Sequence, residues 1–106
     1  MALEDAEPAV SASTTDPPGI VTISPSGELD IATVDPVRSE VQAAIDHGAA
    51  GIVFELAAVT FLDSSALALF AYAARHVERV TVRNPTEIVR RVLEHTGMAS
   101  VVALEP

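Results

Sequence analysis

The sequence contains no cysteine, no tryptophan and no lysine. Without cysteine there is no disulfide, no thiolate chemistry and no cysteine-based zinc site. Aromatic residues make up only 4% of the chain, and Phe54 and Phe61 are expected in the core rather than on a stacking platform. Much of the 49% apolar content is Ala and Val, so the core should be small-residue and tightly packed. Basic residues are scarce as well: six arginines stand against 15 acids, a net charge of −9. No basic patch of nucleic-acid-binding size exists, and the field repels a phosphate backbone. No apolar stretch approaches the ~20 residues needed to cross a bilayer. The start, Met1-Ala2-Leu3-Glu4-Asp5-Ala6-Glu7, is acidic, the reverse of a basic signal-peptide start. A soluble, cytoplasmic protein with no nucleic-acid or membrane partner is therefore expected.

A length of 106 residues suits one domain with one core. Residues 1–8 are polar, end in Pro8 and read as a disordered lead, leaving 9–106 as the domain. The charge is lopsided. Residues 1–63 carry 11 acids and one arginine, Arg38, whereas residues 64–106 carry four acids and five arginines. The acidic half either steers a basic protein partner or simply keeps a small protein soluble.

Hydrophobic periodicity divides the chain into alternating elements. Val10 to Thr15 is a weak strand, Asp16-Pro17-Pro18-Gly19 a turn, and Ile20 to Ile23 a β-branched strand, together a hairpin. Ser24-Pro25-Ser26-Gly27 should break that strand. Val34, Val37, Val41, Ala44 and Ile45 fall on one helical face, with Thr33 as N-cap, Pro36 in the first turn and Gly48 at the end. Gly51 to Leu56 is nearly continuously apolar, as in a strand covered on both faces. Ala57 to Thr60 reads as a short loop. A second helix is expected from Ser64 to Arg75, a strand from Val77 to Val82, and a third helix from the cap Thr86 to Thr96. In that third helix Ile88, Val89, Val92 and Leu93 should point inward, and Gly97 should terminate it. Val101 to Leu104 adds a short edge strand. This order implies an α/β fold with a mixed four- to five-stranded sheet, parallel crossovers and helices packed on it.

Most catalytic signatures are missing. His47, His76 and His95 lie on different elements at no metal-ligand spacing and read as surface histidines near helix ends. There is no phosphate-binding glycine loop and no G-x-S-x-G around a serine, and His76 and His95 lie far along the chain from Ser64. No catalytic residue, cofactor or metal is assigned, and the chain reads as a binding module rather than an enzyme.

What remains is Phe61-Leu62-Asp63-Ser64-Ser65-Ala66-Leu67, where an apolar run meets a helix. One reading is structural, since serine before a helix is a preferred N-cap worth about 1 kcal/mol. The other is functional: a hydroxyl at a helix start is well placed for phosphorylation, which adds roughly −1.5 to −2 charges. The helix dipole tolerates that charge within the monomer. Asp30 and Asp63 oppose it, so the product stays folded yet repels a docked partner.

Gly27-Glu28-Leu29-Asp30, Gly51-Ile52-Val53-Phe54-Glu55-Leu56 and above all Phe61 to Leu67 resemble the bacterial anti-sigma factor antagonists, which are STAS domains. Arg83-Asn84-Pro85 and Val89-Arg90-Arg91-Val92-Leu93-Glu94-His95-Thr96-Gly97 match the same pattern, and the resemblance covers about residues 19–104. It implies a STAS fold and a regulator of transcription of the kind used in sporulation or stress response. Ser64, directly after the motif Asp, is then the residue phosphorylated by an anti-sigma factor that is itself an ATP-dependent serine kinase. The unphosphorylated protein binds that kinase and frees a sigma factor; the phosphorylated protein does not bind, and a phosphatase resets it. Gly27, Asp30, Asp63, Ser64, Ser65 and Ala66 form the docking surface of what is expected to be a monomer. The family has Gly where this chain has Ala66, and a methyl there is expected to narrow kinase access or shift the helix start. That departure motivates an alternative, a STAS scaffold acting without phosphorylation in a transporter or larger signalling complex. A small-molecule-binding or enzymatic protein is the third reading, and it requires a deep pocket at the strand–helix junction.

Overall fold

A computed structural model describes residues 10–15 and 19–106. The expected disordered lead, residues 1–8, and the Asp16-Pro17-Pro18 part of the turn lie outside the described residues. The elements follow in the order β1 (Val10–Thr15), β2 (Ile20–Pro25), β3 (Gly27–Leu29), α1 (Asp35–Asp46), β4 (Gly51–Glu55), β5 (Val59–Leu62), α2 (Ser64–His76), β6 (Arg79–Arg83), α3 (Glu87–His95) and β7 (Ala103–Glu105). A short 3-10 turn, Met98–Ser100, precedes β7.

Five strands form one mixed sheet in the order β1-β2-β4-β6-β7. β1 and β2 are an antiparallel hairpin, with Thr15 opposite Ile20 and Val10 opposite Pro25. The β2–β4, β4–β6 and β6–β7 pairs are parallel. The apolar run at 51–56 predicts a central strand, and β4 is central: Gly51, Ile52, Val53 and Phe54 are all buried. Gly51 is required there, because a Cβ would meet the Arg79 carbonyl oxygen at 3.2 Å and Ile20 Cδ1 at 2.8 Å. α1 packs over β1 and β2, α2 over β6 and β5, and the two helices touch each other. α3 lies against β5. Phe54 of β4 meets Phe70 of α2 with ring centroids 4.5 Å apart, inside a core otherwise made mostly of aliphatic side chains.

The structure departs from the expected elements where long-range pairing decides. A second, two-stranded parallel sheet joins β3 to β5. Ala57 to Thr60 reads as a loop because the segment is short and alanine-rich, yet Val59 pairs with Gly27 and Leu62 with Leu29. β2 continues through Pro25, at its last position, where a missing N–H is tolerated. Thr33 does not cap α1; Val34 holds that position with no side-chain cap. α2 ends at His76 and β6 starts at Arg79, two residues later than expected, because Val77 N–H still closes the helix on the Ala73 carbonyl at 3.1 Å. Ile88 is exposed rather than inward: Val89 and Leu93 form the buried line, and a residue one step earlier is turned ~100° away. Val101 is exposed as well, and β7 starts at Ala103.

Candidate functional site

The two-stranded sheet delivers two loops to one place. β3 and β5 run in the same sense, so Leu29 and Leu62 end them side by side. The next step is also locked, because Asp63 N–H donates to the Leu29 carbonyl at 3.2 Å. The turn after β3 and the start of α2 are thereby adjacent.

At the start of α2 the capping question has a clear answer. Asp63, in extended conformation, is the N-cap, and its Oδ1 accepts the Ser65 N–H at 2.8 Å. The serines do not cap: Ser64 is the first helical residue and is exposed, and its hydroxyl bonds to no other described residue. Ser65 contributes its backbone to the cap and is half-buried. One aspartate satisfies the helix end, so the Ser64 hydroxyl is left for other use. The helix start also offers the positive end of the dipole to any charge placed there.

The turn after β3 is held by its own side chains. Asp30 Oδ1 accepts the Ala32 N–H at 2.9 Å, and the Asp30 carbonyl accepts N–H groups from Thr33 and Val34 at 3.0 and 2.9 Å. Thr33 Oγ1 accepts the Asp30 N–H at 2.9 Å and donates to the Glu28 carbonyl at 2.7 Å. This is why Thr33 is not a helix cap: its hydroxyl staples the turn instead. Asp30, expected as a docking carboxylate, spends one oxygen shaping the turn. The residue displayed at its tip is Ile31, 76% exposed. Gly27 is exposed at the start of β3 with φ of 80°, and its N–H donates to the Ala58 carbonyl at 2.9 Å, tying the turn before β5 to β3.

Two expectations about the site are corrected. Phe61 is not a core aromatic but 45% exposed, because β5 buries Val59 and Leu62 and turns the residues between them outward. Ala66 is not part of an exposed surface: it is 0% exposed, inside the core. Two helical positions after Ser64, it lies ~200° around the helix, so its methyl cannot shield the hydroxyl. Ile31 and Phe61 are exposed apolar side chains beside the helix start that sequence reasoning misses. No periodicity marks them, and an apolar residue beside a motif reads by default as core.

The remaining polar groups suggest no catalytic cluster. His47, His76 and His95 are all exposed at helix ends, as their sequence positions imply, and His47 and His76 direct Nδ1 to the carbonyls of Ala43 and Tyr72. Among the described residues, no three His, Asp or Glu side chains gather as a metal site would require. Nor is any helix there long and apolar enough to cross a membrane.

The STAS domain family model matches residues 11–106. An anti-sigma F factor antagonist from Lysinibacillus sphaericus is 34% identical over 83 residues, which span 74% of this chain and 71% of that protein. The structure of the anti-sigma factor antagonist SpoIIAA in its unphosphorylated form superposes with a TM-score of 0.77 at 28% identity, covering 91% of this chain and 87% of that one. The Bacillus cell fate determinant SpoIIAA in its phosphorylated form gives a TM-score of 0.70 at 27% identity, covering 91% and 90%.

Proposed function

The chain belongs to the STAS domain family, and from that premise we propose that it is an anti-sigma factor antagonist switched by phosphorylation of Ser64. The observation that carries this reading is the Ser64 hydroxyl, exposed at the first position of α2 while Asp63 does the capping. Two relatives are named as anti-sigma factor antagonists, and a SpoIIAA structure exists in a phosphorylated form, which supports the same chemistry here.

The unphosphorylated protein docks its anti-sigma factor partner on the surface around Ile31, Phe61 and Ser64, and the sigma factor is released. The partner is a serine kinase. Ser64 Oγ attacks the γ-phosphorus of ATP held by that partner; an O–P bond forms, the bond to ADP breaks, and the serine proton leaves to solvent. Phosphoserine then carries roughly −1.5 to −2 charges beside Asp63 and the adjoining Asp30 turn. Within the monomer the start of α2 offsets that charge. A docked partner that carries its own nucleotide phosphates does not, so the complex separates until a phosphatase restores the hydroxyl. The buried position of Ala66 supports phosphorylation over a scaffold that acts without it.

The test is incubation of the full chain with its cognate kinase and ATP, followed by intact mass. One added phosphate is expected on the wild type and on Ser65→Ala, and none on Ser64→Ala. Equal phosphate on Ser64→Ala, or none on the wild type, would overturn the assignment.

A further inference from the structure

Away from the serine, a groove of about 430 Å³ lies between α1 and α2. Arg38 and Gln42 line it from α1, and Ala68, Leu69, Tyr72 and Arg75 from α2. That volume falls within the ~300–1,000 Å³ of small-ligand pockets. Ala68 and Leu69 supply apolar wall, and Tyr72 is held in place on two sides. Its ring packs on His76 with centroids 4.2 Å apart, and its hydroxyl donates to Gln42 Oε1 at 2.8 Å. Gln42 Nε2 in turn donates to Asp46 at 2.9 Å, so this polar pair is satisfied internally.

The unsatisfied chemistry in the groove is cationic. Two of the chain's six arginines reach it, in a protein of net charge −9. Arg75 makes no hydrogen bond or ion pair with any described residue. Arg38 pairs with Asp35, but both side chains are largely exposed, and such a pair holds by ~1 kcal/mol or less. α1 leads into β4 and α2 into β6, which are parallel, so the two helices run in the same sense. Arg38 therefore stands about 6 Å above the Gln42–Tyr72 bridge along the helix axis, and Arg75 about 4.5 Å below it. An apolar wall between two cations matches an elongated anion with an apolar middle.

We propose that this groove binds a small organic anion, a carboxylate, sulfonate or phosphate ester with an apolar or aromatic body. The body lies on Ala68, Leu69 and the Tyr72 ring, and its acidic groups meet Arg38 and Arg75. The site is independent of the Ser64 switch, so either reading stands without the other.

The experiment uses 8-anilinonaphthalene-1-sulfonate, an aromatic sulfonate, titrated into the full folded chain. Fluorescence measures affinity, and amide NMR shifts locate the probe. Saturable one-to-one binding is expected, with shifts centred on Arg38, Gln42, Leu69, Tyr72 and Arg75. Because the probe carries a single sulfonate, one of Arg75→Gln and Arg38→Gln should weaken it about tenfold, equivalent to ~1.4 kcal/mol, and the double variant should lose saturable binding, with circular dichroism unchanged. Arg75→Lys should retain part of the affinity. Phenyl phosphate should displace the probe, and the uncharged N-phenyl-1-naphthylamine should not bind the groove. Absence of saturable binding, affinity indifferent to both arginine substitutions, or shifts centred on Ile31 and Phe61 would each overturn the proposal. Displacement by an all-glutamate peptide but not by phenyl phosphate would overturn it too, by making the groove a dock for an acidic protein segment.

Discussion

The five-stranded sheet and the two-stranded sheet bury their residues differently. In the large sheet, β4 is covered on both faces and Gly51 to Phe54 are all buried. In the small one, β3 and β5 each anchor through buried ends, Leu29 on one strand and Val59 and Leu62 on the other, while Glu28, Thr60 and Phe61 face outward. The large sheet holds the molecule together; the small one is a platform for the Ile31 turn and the Ser64 helix start. A domain of this size is stabilised by only ~5–15 kcal/mol in total. Substitutions in the two regions should therefore separate stability from recognition.

The largest effect should come from the core. Phe70→Ala removes the ring packed on Phe54 and should cost about 3–5 kcal/mol, read as a fall in the denaturant midpoint. A loss below ~1 kcal/mol would break the distinction between the two sheets. Next comes the platform. Ile31→Ser combined with Phe61→Ser should weaken binding of the anti-sigma factor by about 2 kcal/mol, roughly thirtyfold. Unfolding should shift by no more than ~0.5 kcal/mol, because neither side chain is in the core. Unchanged partner affinity in a binding assay would show that the exposed apolar pair is not the recognition surface. The smallest effect belongs to the hinge between the regions. Asp63→Ala should cost about 1 kcal/mol by removing the cap on α2, and Asp63→Asn should recover most of it, since an amide oxygen can still accept the Ser65 N–H. Thermal unfolding of the pair separates capping from charge; equal losses in both variants would mean that charge, not capping, holds the helix start.

Legibility in the sequence follows the range of the interaction. Val37, Val41 and Ala44 on α1, and the continuous run in β4, could be read because helix and strand periodicities are local. Ser64 was legible as a junction residue, but its freedom was not, because Asp63 and Ser64 are both plausible caps until backbone angles assign the position. β3 and β5 are only partly legible because three or four residues carry too little pattern alone; they become strands through pairing about 30 positions apart. Ile88 and Phe61 read as inward on apolar character, which says nothing about direction when the element turns by one residue.

The α/β order, the two-sided burial of β4 and the serine-bearing junction between strand and helix are legible in residue order alone. Each of these follows from short-range chemistry: hydrophobic period, proline and glycine geometry, and a motif of adjacent residues. Packing of the folded chain sets which way the side chains face and what lies next to what. It turned the Ala66 methyl into the core, left the Ser64 hydroxyl outside, displayed Ile31 on a stapled turn, and brought Arg38 and Arg75 to one groove. Those outcomes depend on how separate elements pack, and packing is a property of surfaces that no single stretch of chain contains.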